Sequence, residues 1–181
     1  MSKPREQLLD IIRHQAIVHG EVTLSSGALA QYYVDLRRVT LDGVGAPLVG
    51  EVMNALVADL HFDAVGGLTM GADPVAAAML HAAAAAGKRV DAFVVRKSGK
   101  AHGMQQQIEG PSIKGRRVLV VEDTSTTGNS PLTAVAACRE AGAEVVGVAV
   151  IADRDSGADA VIAAQGLTYR AAFSLDDLGL V

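Results

Sequence analysis

With 181 residues the chain is long enough for one domain, spanning 1–181, to bury its own core. Half of its residues are hydrophobic, only 3% are aromatic and none is tryptophan, so the core must be built from Ala, Val, Leu and Ile, a palette common in layered α/β proteins. The formal charge of −4 excludes the broad basic surface of a general nucleic-acid binder, and one cysteine, Cys138, excludes an internal disulfide or a multi-cysteine metal site.

The first fifteen residues, MSKPREQLLDIIRHQ, scatter charges and contain no continuous apolar stretch, so they do not read as a signal peptide. Residues 5–19 place Leu8, Leu9, Ile11, Ile12, Ala16 and Ile17 at helical spacing, with Gly20 to end the helix. The stretch from Glu21 to Val39 alternates apolar positions around Ser25-Ser26-Gly27 and predicts an antiparallel hairpin. A helix follows over residues 47–60. Residues 62–68 predict a strand, residues 69–73 a turn, and an alanine-rich helix starts at Pro74. The most apolar segment, residues 74–87, carries His81 and is too short to span a bilayer, so a soluble, cytoplasmic protein is expected, with no membrane or nucleic-acid partner.

Residues 90–95 predict a second strand and residues 96–114 a polar stretch. Residues 117–121 predict a third, of the kind buried on both faces of a parallel sheet. A turn at 123–129, a helix over 131–141 that stops at Gly142, a strand over 144–151 and another over 167–173 complete the chain. The rhythm predicts a mostly parallel sheet flanked by helices. Cys138 lies in an apolar run and reads as a small buried hydrophobe, as a reducing compartment would allow. His14, His19, His61 and His81 have no metal-ligand spacing.

Residues 118–130, VLVVEDTSTTGNS, carry the strongest signal. Four apolar residues end at Glu122 and Asp123. Thr124, Ser125, Thr126, Thr127, Gly128, Asn129 and Ser130 follow, and Pro131 starts a helix. At the carboxyl end of a parallel strand such a turn opens into the crevice where α/β sheets bind ligands. Backbone N–H groups at a helix N-terminus, joined by hydroxyls, suit a phosphate. Two acids beside that cradle make sense only if the ligand also offers a diol or a bound Mg²⁺. Ribose 5-phosphate with a leaving group at C1 meets all three demands. The chain lacks G-x-x-x-x-G-K-[ST], and Gly43-Val44-Gly45 lacks a third glycine and a preceding strand, so neither a P-loop nor a dinucleotide fingerprint is present.

This string resembles the phosphoribosyl pyrophosphate (PRPP) motif of type I phosphoribosyltransferases. The resemblance implies that fold, with Glu122 and Asp123 on the ribose hydroxyls, Thr126 to Ser130 on the 5′-phosphate, and Thr124 and Ser125 also among the PRPP-binding residues. Three further segments are similar to the orotate branch. Arg96-Lys97-Ser98-Gly99-Lys100-Ala101-His102-Gly103 resembles its R-K-x-x-K-x-H-G catalytic loop. That likeness implies that Arg96, Lys97, Lys100 and His102 bind PRPP, that Lys100 and His102 are catalytic, and that the loop completes the site of a neighbouring subunit in a homodimer. Thr23-Leu24-Ser25-Ser26-Gly27 and Tyr32-Tyr33-Val34-Asp35-Leu36-Arg37 are similar to the N-terminal elements, where residues 20–40 would form a hood over the base and Tyr33 would line its pocket. Asp153-Arg154 matches the position whose arginine binds the orotate carboxylate, a planar fork suited to a bidentate partner. Thr126 would also touch the base.

Two positions depart from the pattern. Ser25 stands where lysine is common, and Met70-Gly71 stands where many members carry an aromatic–lysine pair. The resemblance implies transfer of phosphoribosyl from PRPP to orotate, in pyrimidine biosynthesis. Mg²⁺ would be held mainly by PRPP, with Glu122 and Asp123 as candidate protein ligands. The alternatives are a phosphoribosyltransferase for another base, a non-catalytic PRPP sensor, and a general sugar-phosphate protein.

Overall fold

Short apolar runs bounded by glycine and charge become the strands of the central sheet. The computed structural model describes residues 2–23, 29–97 and 107–180. Strands β3 (Ala64–Leu68), β4 (Asp91–Val95), β6 (Arg117–Ser125), β7 (Glu144–Asp153) and β8 (Thr168–Phe173) are parallel, and β5 (Ile108–Glu109) adds an antiparallel edge. Their order is β5-β4-β3-β6-β7-β8. A separate pair, β1 (Ile17–Thr23) and β2 (Leu29–Val34), forms the expected N-terminal hairpin.

Because successive side chains of a strand alternate sides, the sheet feeds two cores. Val65, Leu119, Val121, Ala149 and Ile151 face helices α1 (Lys3–Ile11), α3 (Gly45–Leu56) and α4 (Ala72–Ala85). Ala64, Val118, Val120, Val148 and Val150 face α5 (Asn129–Glu140) and α6 (Ala158–Ala163). Each fully buried Val or Leu contributes about 1.5–3 kcal/mol of apolar transfer energy. Cys138 belongs to the second core, and burial pushes its thiol up to about 12. The expected mostly parallel sheet between helical layers is what forms. Among the described residues no helix is long and apolar enough to cross a membrane.

Three boundaries differ from expectation. The first helix does not run to residue 19. It ends as α1 at Ile11, passes through one π-helical turn (Ile12–Ala16), and gives way to β1 at Ile17. Ile17 and Val18 are β-branched, and they pair with Val34 and Tyr33, so strand pairing overrides the helical spacing. Strand β6 does not stop at Val121. It continues to Ser125 because β7 runs alongside it, pairing Glu122 with Val150 and Ser125 with Asp153. The acid pair therefore sits in the strand, and the turn begins at Thr126. Helix α3 starts and stops earlier than residues 47–60, aided by Asp42, whose carboxylate accepts the N–H groups of Val44 and Gly45 at 3.0 and 2.8 Å. The short helices α2 (Arg37–Thr40), α6 and α7 (Leu175–Leu178) offer too little periodicity to be read in advance.

Candidate active site

From β3 the chain winds toward β4, and from β6 it winds the other way toward β7 and β8. The carboxyl ends of β3 and β6 therefore flank the reversal of strand order, the place where open α/β sheets form a ligand crevice. Gly67 makes this junction tight. A Cβ on Gly67 would meet the Val121 carbonyl oxygen at 2.1 Å and the Ala72 Cβ at 2.7 Å, so glycine lets the start of α4 rest against β6.

Glu122 and Asp123 lie on the β6 side. Glu122 is only 5% exposed. Burial pushes its carboxyl up to about 8, helped by the charges of Asp123 and Asp73 and opposed by Lys97. Burial also raises Asp123, against the Thr124 N–H and hydroxyl that donate to it at 2.6 and 3.3 Å and against the charge of Arg37. Among the described residues neither carboxylate has an ion-pair partner. A buried and a half-buried acid side by side, neither with an ion-pair partner among the described residues, mark a candidate ligand site.

A prediction follows from the sign of the Glu122 shift. An unfolded glutamate loses its proton near 4.5, whereas the folded Glu122 keeps it to about 8. Between those values the folded state binds more protons, so stability must fall as pH rises. Thermal unfolding of the free protein should decline across this window, and Glu122→Gln should flatten the decline. An equal slope in both proteins would assign the effect elsewhere.

The phosphate turn takes the shape its residues dictate. Gly128 adopts φ +80° and ψ 0°, a left-handed conformation that glycine accepts without strain, and α5 starts at Asn129. No side chain caps that helix, so its first N–H groups face outward. Thr126, Thr127, Asn129 and Ser130 are exposed around the turn. Thr124 is occupied with Asp123 on the strand. Ser125 is buried, with a hydroxyl that has no hydrogen-bond partner among the described residues, so it stands apart from the loop group.

Arg154 follows β7, and its backbone N–H donates to the Ser125 carbonyl at 2.9 Å. Its guanidinium lies 6.0 Å from the centre of the Tyr32 ring. Asp153 accepts the Asp155 N–H at 3.0 Å, and among the described residues Arg154 makes no ion pair. Tyr33 turns elsewhere, its hydroxyl accepting from Arg37 at 3.5 Å. Adjacent strand residues point to opposite faces, so only one tyrosine can accompany Arg154, and it is Tyr32. Arg96 pairs with Glu109 at 3.3 Å, and Lys97 is exposed. Lys100, His102 and Ser25 lie outside the described residues.

Sequence reasoning assigns no site role to Tyr32, Arg37, Gly71 or Asp73. Arg37 binds Asp35 at 2.9 Å and lies close enough to Asp123 for their charges to interact. Asp73 takes the Thr69 hydroxyl on one oxygen at 2.6 Å and leaves Oδ1 buried without a hydrogen bond among the described residues. The presence of Asp73 in the first turn of a helix after a strand was the available signal. The donor set of Glu122, Asp123 and Asp73 consists of hard oxygens that fit Mg²⁺. Among the described residues no group of three His, Cys, Asp or Glu is arranged to hold a metal by itself.

Comparison with known proteins agrees with this geometry. Residues 44–167 match the phosphoribosyl transferase domain family. The chain is 70% identical to the orotate phosphoribosyltransferase of Streptomyces avermitilis over 181 residues, covering 99% of this chain and 100% of that protein. It is 59% identical to that of Corynebacterium glutamicum, covering 99% and 96%. Among solved structures, orotate phosphoribosyltransferase of Mycobacterium tuberculosis H37Rv in complex with PRPP superposes with a TM-score of 0.86 at 52% identity, over 98% of this chain and 99% of that one. An adenine phosphoribosyltransferase from Thermoanaerobacter pseudethanolicus, at 17% identity and TM-score 0.66 over 92% and 99%, shares the type I fold. Identity this high over the whole length, on a sheet whose reversal point holds the acid pair and the open helix end, places the chain in the orotate phosphoribosyltransferase family.

Proposed function

We propose that the chain transfers the phosphoribosyl group of PRPP to orotate, releasing pyrophosphate and forming orotidine 5′-monophosphate in pyrimidine biosynthesis. The observation that carries this reading is the shared crevice of Glu122, Asp123 and the uncapped start of α5, with Arg154 beside it on the end of β7. The two carboxylates hold the ribose 2′ and 3′ hydroxyls. The N–H groups and hydroxyls of Thr126, Thr127, Gly128, Asn129 and Ser130 take the 5′-phosphate. Arg154 grips the orotate carboxylate, Thr126 touches the ring, and the β1–β2 hairpin forms the hood with Tyr32 on the Arg154 side.

Arg96, Lys97, Lys100 and His102 neutralise the charge that grows on pyrophosphate as the C1–O bond breaks. The ribosyl carbon then has oxocarbenium character, and the orotate nitrogen attacks from the opposite face. No side chain forms a covalent intermediate in this scheme. Catalysis rests on placing the reactants and matching charge. Glu122 and Asp123 would be the protein carboxylates available to a Mg²⁺ ion brought in by PRPP, and the ion would supply positive charge to the pyrophosphate.

The working form in this reading is a cytoplasmic homodimer whose loops complete each other's sites. Leu41, Val44 and Met70 are 72%, 66% and 63% exposed, large apolar side chains that a subunit contact would cover. A cleft of about 790 Å³ between α3 and α4 includes Leu41 in its lining and none of the acid pair. Pyrophosphate release from PRPP and Mg²⁺ should occur with orotate and not with adenine, hypoxanthine or uracil. Turnover of a purine in preference to orotate would overturn the assignment of the base.

A further inference from the structure

We infer that Gly71 is a positioning residue for PRPP, its missing side chain being the space that sets where the ribose-binding carboxylates end; this rests on the function proposed above. A Cβ at residue 71 would lie 2.2 Å from Glu122 Oε1, 2.8 Å from Asp123 Oδ1 and 3.1 Å from Asp123 Cγ. All three are side-chain atoms of the acid pair. Nothing in the backbone asks for glycine here, because Gly71 has φ −64° and ψ −42°, ordinary right-handed values open to any residue. Glycine also loses more chain entropy on folding than alanine, so leaving this position bare has a cost. What the position gains is contact: the loop after β3 rests its bare Cα on the acids of β6.

The consequence of filling that space can be followed atom by atom. The chain at residue 71 is held by the start of α4, whose Ala72 is fully buried. Asp123 Oδ1 is tied by the Thr124 N–H at 2.6 Å. Glu122 is 5% exposed and cannot swing out to water. An added methyl group therefore drives the Glu122 carboxylate sideways within the crevice, away from the position that meets a ribose hydroxyl. Any longer side chain at this position would begin with the same Cβ and meet the same two carboxylates.

Steady-state kinetics and thermal unfolding of Gly71→Ala, Glu122→Asp and the double variant test this. Gly71→Ala should raise KM for PRPP by about tenfold or more, hold KM for orotate within about twofold, and unfold near the wild-type temperature. In the Glu122→Asp background, where the carboxylate is withdrawn by one methylene, the same substitution should cost much less, because the two residues share one contact. A Gly71→Ala variant with KM for PRPP within about twofold of wild type overturns the inference. Equal losses in both backgrounds overturn it as well. So does a variant that fails to fold, since the contact would then lie with the backbone. A wild-type chain that does not turn over PRPP sinks the functional reading and this inference together, whereas normal turnover beside an unaffected Gly71→Ala sinks this one alone.

Discussion

Lys100→Ala should lower kcat by about two to three orders of magnitude, the effect of removing one well-placed donor worth roughly 3–4 kcal/mol in a transition state. The reason is the order in which charge moves. Bound PRPP already carries its anionic charge, and binding it uniformly well would lower KM without raising kcat. As the C1–O bond breaks, further negative charge collects on the departing pyrophosphate. A cation that meets that charge late accelerates the step itself. KM for PRPP should accordingly change far less than kcat. Single-turnover kinetics, which isolate the chemical step from product release, are the measurement of choice. A lysine that acts only on the transition state adds nothing to the core, so the unfolding temperature should stay where it was. Activity near wild type would remove Lys100 from the catalytic group and leave Arg96, Lys97 and His102 to carry the loop's role.

The second large effect is expected at Arg154, and it falls on the other substrate. Arg154→Ala should raise KM for orotate by roughly 30-fold to 1,000-fold, on the scale of about 2–4 kcal/mol for truncating one partner of a buried, hydrogen-bonded charge pair. Arg154 makes no ion pair among the described residues, and its guanidinium lies 6.0 Å from the Tyr32 ring centre, where an aromatic face can steady a cation. It is thus uncommitted to a protein carboxylate and can be given to the carboxylate of a ligand. Arg154→Lys should recover only part of the loss, because an ammonium cannot reproduce the two parallel bonds of the fork. KM for PRPP should hold within about threefold, since the site proposed for the sugar phosphate lies on β6 and α5. A loss shared equally by both substrates would show that the substitution damages the crevice as a whole.

How much of this could be read from the chain alone depended on whether each feature was local. The stretch from Val118 to Ser130 holds strand, acids, turn and helix start within thirteen residues, and each part announces itself by residue type. The end of β6 was misjudged because polar residues after Val121 look like loop until β7 is placed beside them. The true end of α1 depends on a hairpin partner seventeen positions away, Val34 opposite Ile17. The choice between Tyr32 and Tyr33 turns on a single step of strand parity, which alternation cannot settle from within the pair. Gly71 shows the limit most plainly. In sequence it is a departure from a pattern, and its reason is a carboxylate fifty-one positions further on.

The placement of the tyrosines has an optical consequence. The chain has three tyrosines and no tryptophan, so its near-ultraviolet emission comes from phenols alone, with no indole to mask them. One of those phenols shares its surroundings with Arg154, at the end of β7. A conjugated pyrimidine that absorbs at the wavelengths where tyrosine emits would quench that ring by energy transfer on arrival, giving the protein a native fluorophore at the substrate entrance without any attached label.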